Sequence, residues 1–234
     1  MNTKYIESNT RLGAYAVICG AVLFIIGALL WVVTGTDLDL ALVEGDMAGY
    51  LMAAEATRSL LVANLSIWIL GAFVLTTGAN ALINLGDHDR AATQMARIAY
   101  MAALPIVVIS YIAWLALVVQ LGGKGSETAV LLAEVTGWFA TRADWVATIL
   151  IIGVGPLFIA YAGRERWVPG WLRGWGFATT IASGFTLLGL FIPSFAGVGF
   201  LIIPIGLGWM IAAGIVLMRR MRKRTVEARS LAST

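Results

Sequence analysis

The sequence predicts an all-α integral membrane protein, a bundle of six transmembrane helices with both termini cytoplasmic, and three observations carry that prediction. First, the 234 residues are 60% hydrophobic and only 12% charged, with a mean hydropathy of +0.88, whereas a soluble domain carries about 25% charged residues. Second, six apolar runs, 12–33, 59–85, 98–121, 145–162, 174–192 and 197–218, meet or approach the roughly 20 residues a helix needs to cross a bilayer core. None of these runs contains Asp, Glu, Lys, Arg or His. Third, the basic residues lie almost entirely on one side of the resulting topology. The N-terminus, the 86–97 and 163–173 loops and the tail hold 13 of the 16 Lys and Arg, leaving Arg58, Lys124 and Arg142 opposite. By the positive-inside rule that basic side is cytoplasmic.

The first run follows Lys4 and Arg11, as a signal peptide would. Its 22 apolar residues exceed a signal core, and "WVVTGTDLD" offers no small-residue cleavage site, so it is read as an uncleaved helix. The second, 59–85, is the longest and the fourth, 145–162, the shortest. Membrane strands would be about ten residues of alternating polarity, unlike any of these runs. No soluble stretch exceeds about 25 residues, so the chain is read as a single membrane domain, 1–234. It has long outer loops at 34–58 and 122–144, a tight outer turn "PSFAG" at 193–197 and a basic cytoplasmic tail, 219–234.

These elements form three hairpins, and the first two share a phrase. "ATRSLLVAN" (56–64) returns as "ATRADWVAT" (140–148), which aligns Arg58 with Arg142 before spans running the same way. A parallel hairpin repeat would explain this, and internal repeats often meet at a binding site. The abundance of Ala and Val here makes most of the identities inexpensive. Both arginines are placed at helix N-termini, where the macrodipole disfavours cations, so each calls for a counter-charge. Glu55, Asp144, Asp37, Asp39, Glu44 and Asp46 are the candidates. Two readings stay open: an interfacial salt-bridge cluster, or a clamp for an anionic headgroup, since the guanidinium fork matches phosphate. The apolar rhythms Val43, Met47, Leu51, Ala54 and Leu131, Val135, Trp138, Arg142 predict a helical cap on the outer face, with extra turns of the second and fourth spans as the alternative.

Gly13, Gly20 and Gly27 recur every seven residues on one face of the first span, either packing inside the bundle or receiving a partner helix. "GVGPLF" (153–158) and "IIPIGLG" (202–208) predict kinks in the fourth and sixth spans. Trp167, Trp171 and Trp175 suit headgroup depth among Arg164, Arg166 and Arg173, while Trp68, Trp114 and Trp209 lie deeper, as core or as the lining of an apolar site.

Absences narrow the function. Spans without ionisable residues argue against an ion-coupled pump or a voltage sensor. Cys19 is the one cysteine, so there is no thiolate cluster, and the one histidine, His88 in "GDHDR", sits in a solvated turn. No P-loop, H-E-x-x-H or G-x-S-x-G occurs, and the spans offer hydroxyls without a base, so no catalytic residue, metal site or enzymatic activity is expected. The basic "MRRMRKR" at 218–224 meets anionic headgroups directly after a span and implies no nucleic acid.

Together, "RLGAYAVICGAVLF", an acidic loop ending in Arg before "LLVANLSIWILGAFVL", and "WVPGWLRGWGFATTIASG" resemble the bacterial family known as domain of unknown function 4386, over roughly 11–220. The resemblance implies six helices in a bacterial cytoplasmic membrane and supplies no activity. The expectation is therefore a non-enzymatic membrane protein that binds a lipid or other apolar ligand, such as a pigment, or serves as an accessory subunit beside a protein partner or a second copy. Arg58, Arg142, Glu55 and Asp144 would take the head of a ligand, and Trp68 and Trp114 its tail. The alternative is a small uncoupled transporter or channel for a neutral or apolar solute, lined by Asn64, Asn80, Ser110, Gln120 and Thr148.

Overall fold

A computed structural model describes residues 3–86, 91–192 and 196–232, with side chains for 10–86, 91–192 and 198–222. His88 and the start of the "PSFAG" turn lie outside the described residues. All regular structure among the described residues is helical: α1 (Thr3–Thr34), α2 (Leu38–Glu44), α3 (Met47–Ala56), α4 (Arg58–Ile83), α5 (Ala91–Leu121), α6 (Glu127–Thr148), a π-helical segment (Ile149–Val154), α7 (Gly155–Ala162), α8 (Gly170–Gly189), α9 (Ala196–Gly199) and α10 (Ile202–Ala232).

Among the described residues, five helices are long and apolar enough to cross a membrane: Thr10–Thr34, Arg58–Ile83, Ala91–Leu121, Glu127–Ala162 and Ile202–Arg222. Large apolar side chains such as Leu29, Val33, Ile112 and Val135 are exposed on them, as a lipid-facing surface requires. The segment expected at 174–192 forms α8, which is long enough at 20 residues but is not among the five, because Arg173 and several Thr, Ser and Gly dilute its hydropathy.

Contacts divide the chain into two compact units: Met1–Ala21, Val74–Met101 and Ile149–Thr234 form one, and Val22–Phe73 with Ala102–Thr148 the other. In the first unit, α1 and α4 meet backbone to backbone. A Cβ on Gly20 would lie 2.6 Å from Leu75 Cα, and one on Gly78 2.5 Å from Val17 N. Only glycine permits that approach, which dispersion then rewards along the seam.

Pro156 organises the same unit's other half. Its missing N–H and its ring are incompatible with the α-helical bond to residue 152, and the chain widens into the π-segment just before it. The carbonyls there find other donors: Tyr100 Oη donates to Ile151 O (2.7 Å) and Thr179 Oγ1 to Gly153 O (2.6 Å). By contrast, Pro204 occupies the first turn of α10, where no helical N–H is required. The kink expected in "IIPIGLG" is therefore absent, and Pro204 starts the helix.

In the second unit the two long loops differ. The first folds into α2 and α3, capped by Asp37 on Leu40 N and Asp46 on Gly49 N, and separated at Gly45 with φ of 73°. The second contains no separate cap. It continues from Glu127 as α6, whose small face of Ala129, Ala133, Gly137 and Ala140 is buried, with Leu38 and Leu42 of α2 seated on Gly137. Leu131, Val135 and Trp138 of the apolar stripe are exposed, as the extra turns of a span would leave them.

The two Ala-Thr-Arg copies are accordingly not equivalent. Thr57 ends α3 and accepts the amides of Leu60 and Leu61 to start α4, so Arg58 sits at a helix N-terminus. Arg142 lies inside α6, which corrects its placement at a helix start.

Candidate functional site

The chemistry gathers in the second unit, beginning with Arg142. Its guanidinium donates from Nη1 to Asp39 Oδ1 at 2.9 Å and lies 4.1 Å from the centre of the Trp138 ring. Trp145 Nε1 donates to the other oxygen of Asp39 at 3.0 Å. Trp138, Arg142 and Trp145 follow one another at spacings of four and three, which places them on one face of α6. Of the six acids proposed as counter-charges, Asp39 takes Arg142 and Glu55 takes Arg58, through an i,i+3 contact of Glu55 Oε2 with Arg58 Nη2. Gly122 and Gly123 sit against Glu55, and Gly123 N donates to Leu51 O at 2.9 Å. Both arginines therefore arrive at the site already engaged by carboxylates.

Asp144 is placed differently. It stands in α6 one residue before the expected span, yet the same continuous helix runs on through the apolar segment. The absence of ionisable residues holds for 145–162 and not for the Glu127–Ala162 segment that contains it, which also carries Arg142 and Asp144. Asp144 faces the Tyr111 hydroxyl of α5, with Asp39 close enough to act on it electrostatically. Its Oδ1 is shielded from solvent and has no hydrogen-bond partner among the described residues.

From Tyr111 an aromatic cluster extends to α4 and α3. Trp68 stacks on Tyr111 with ring centres 5.4 Å apart and an interplanar angle of 29°, and lies 6.4 Å from Trp114. Trp114 Nε1 donates to Tyr50 Oη at 2.7 Å. Burial pushes the Tyr50 hydroxyl well above its ordinary range, with the Trp114 donation opposing in part. Trp68 Nε1 donates to Phe24 O at 3.1 Å, and Gly27 lets the indole lie directly on α1. One turn away, fully buried Asn64 donates to Gly27 O at 2.7 Å and leaves its own Oδ1 without a partner. Tyr111, Trp114 and Tyr50 are buried and Trp68 half-buried.

The structure thus joins Asp144, Trp68 and Trp114 through Tyr111, and pairs Arg58 with Glu55 in a separate exposed contact. Gly13, Gly20 and Gly27 all abut α4 of the same chain, so a partner helix would need another face. Tyr50, Tyr111, Trp138 and Trp145 were not singled out as site residues by the sequence reading. The three-residue step from Tyr111 to Trp114 on one helical face was the available signal. Among the described residues no three His, Cys, Asp or Glu side chains converge as metal ligands.

The chain matches no family model, no curated protein and no solved structure.

Proposed function

We propose that this is a non-enzymatic, six-span membrane protein of a bacterial cytoplasmic membrane, with both termini inside, which binds an amphiphilic ligand beside the Asp144–Tyr111–Trp68 cluster. The observation that carries the ligand reading is the Asp144 carboxyl oxygen, shielded from water and lacking a donor, beside an aromatic cluster on a helix that runs on into an apolar segment. An ionisable group at membrane depth is costly, and such groups are characteristically functional. The half-buried Trp68 offers an apolar body its contact surface.

The sixth span is α8. Its polar residues are spent inside the fold, with Thr179 and Thr186 donating to Gly153 O and Gly199 O, while Phe177, Ile181, Phe185 and Leu188 line the exposed face. Average hydropathy counts those hydroxyls as though water or lipid met them. The basic residues, 13 of 16 on one side, support the orientation.

A transport path through the broken fourth span is less favoured, because the carbonyls of Ile151 and Gly153 are held by Tyr100 and Thr179. Native mass spectrometry on protein extracted gently from its own membrane tests the reading. A reproducible added mass of amphiphile size is expected, reduced in Trp68→Ala. Bare protein from every preparation would refute it.

A further inference from the structure

We infer that the head of the ligand is an ammonium group, taken by Asp144; the inference rests on the amphiphile reading above. The charge balance points there first. The unit formed by Val22–Phe73 and Ala102–Thr148 holds eight carboxylates, Asp37, Asp39, Glu44, Asp46, Glu55, Glu127, Glu134 and Asp144, against Arg58, Lys124 and Arg142. Such a surplus concentrates cations and repels anions.

Local pairing then selects one carboxyl. Asp39 has donors on both oxygens, from Arg142 and Trp145, and Glu55 is held by Arg58. Asp144 Oδ1 has none. As a carboxylate it can only accept, so the group that completes it in that form must donate, and a cation also cancels the charge that desolvation penalises most. Arg142 is not that cation, being committed to Asp39 with its face over Trp138. Tyr111 meets Asp144 through its hydroxyl and stacks its ring on half-buried Trp68, which leaves Trp68 as the aromatic surface for the body of the ligand. Asn64, on the Trp68 face of α4, adds a second buried acceptor without a partner. An anionic head would meet Asp39 and Asp144 together, and Arg142, the arginine beside them, is already paired with Asp39.

The same ammonium chemistry is found on an aminophospholipid and on a free long-chain amine. The test titrates the full chain in dodecyl maltoside with dodecylamine, dodecanol and dodecyl sulfate, reading intrinsic tryptophan fluorescence. Dodecylamine is expected to bind about tenfold or more tightly than the other two, which corresponds to one charge-assisted hydrogen bond. Asp144→Asn should erase the preference while leaving dodecanol unchanged, and that ranking in the native chain needs no variant to fold. Equal binding of all three, or preference for the sulfate, overturns the ammonium assignment and leaves the amphiphile site standing. Saturable binding of none of them removes the site itself. Nanodiscs of phosphatidylethanolamine against phosphatidylcholine then identify the source: selective retention of the former in native mass spectra means a lipid, and no selection alongside tight dodecylamine binding means a free amine.

Discussion

Replacing Gly20 by alanine sets two physical effects of opposite sign against each other. In an unobstructed helix the change removes the conformational cost of glycine and stabilises by about 0.5–1 kcal/mol. At Gly20 the added Cβ would stand 2.6 Å from Leu75 Cα and N and 2.7 Å from its Cβ. Carbon atoms prefer about 3.5–4.0 Å, so α1 and α4 must part by about 1 Å, a gap that forfeits up to about half of each dispersion contact along the seam. Backbone cannot rotate aside as a flexible side chain can, and overpacking of this kind costs about 1–3 kcal/mol. Gly184 on α8 is the control, since nothing lies within 4 Å of its Cβ position. Gly20→Ala is therefore expected to lower stability and Gly184→Ala to hold or raise it, measured by reversible unfolding in mixed micelles with tryptophan fluorescence. Equal stability of the two variants would refute the close α1–α4 contact. A Gly20→Leu chain that keeps its stability but changes its oligomeric state would place a partner helix, not α4, on that face.

Two further outcomes follow from the site. Asp39 and Arg142 are 29% and 28% exposed, so solvent screens the pair, and a double-mutant cycle with Asp39→Asn and Arg142→Gln should give a coupling of about 0.5–1 kcal/mol; a coupling indistinguishable from zero would mean that Trp145 alone holds Asp39. Burial raises the Tyr50 hydroxyl above its unfolded value near 10, so its contribution is complete below about pH 10 and is lost as pH rises from there through its folded value. Alkaline unfolding of Tyr50→Phe should accordingly be less pH-dependent than that of the native chain, and identical slopes would contradict the buried, neutral hydroxyl.

How much of the site was legible beforehand depends on the residue. Arg58 and Glu55 are three apart in sequence and pair locally, as helical spacing allows. Arg142 and Asp39 are 103 positions apart, and nothing in the chain distinguished Asp39 from the neighbouring Asp37 until α2 was seated on Gly137. Asp144 looked like a loop residue because the apolar run starts at Trp145. The helix nonetheless continues through this point, where Asp144 meets the Tyr111 hydroxyl of α5 and Arg142, two residues earlier, pairs with Asp39 of α2.

By itself the sequence determined the helical class, four of the long apolar helices nearly as read, the glycine face of α1 and the break before Pro156. Those properties reside in single residues or in short-range periodicity, which local chemistry reads directly. Tertiary structure alone decided that the second Ala-Thr-Arg lies within a helix, that the polar face of α8 is turned inward, that Pro204 begins a helix and that Asp144 faces Tyr111 with one oxygen unmet. Each of these depends on which distant backbone carbonyl, hydroxyl or glycine comes within about 3 Å, and that proximity is created only when the helices assemble.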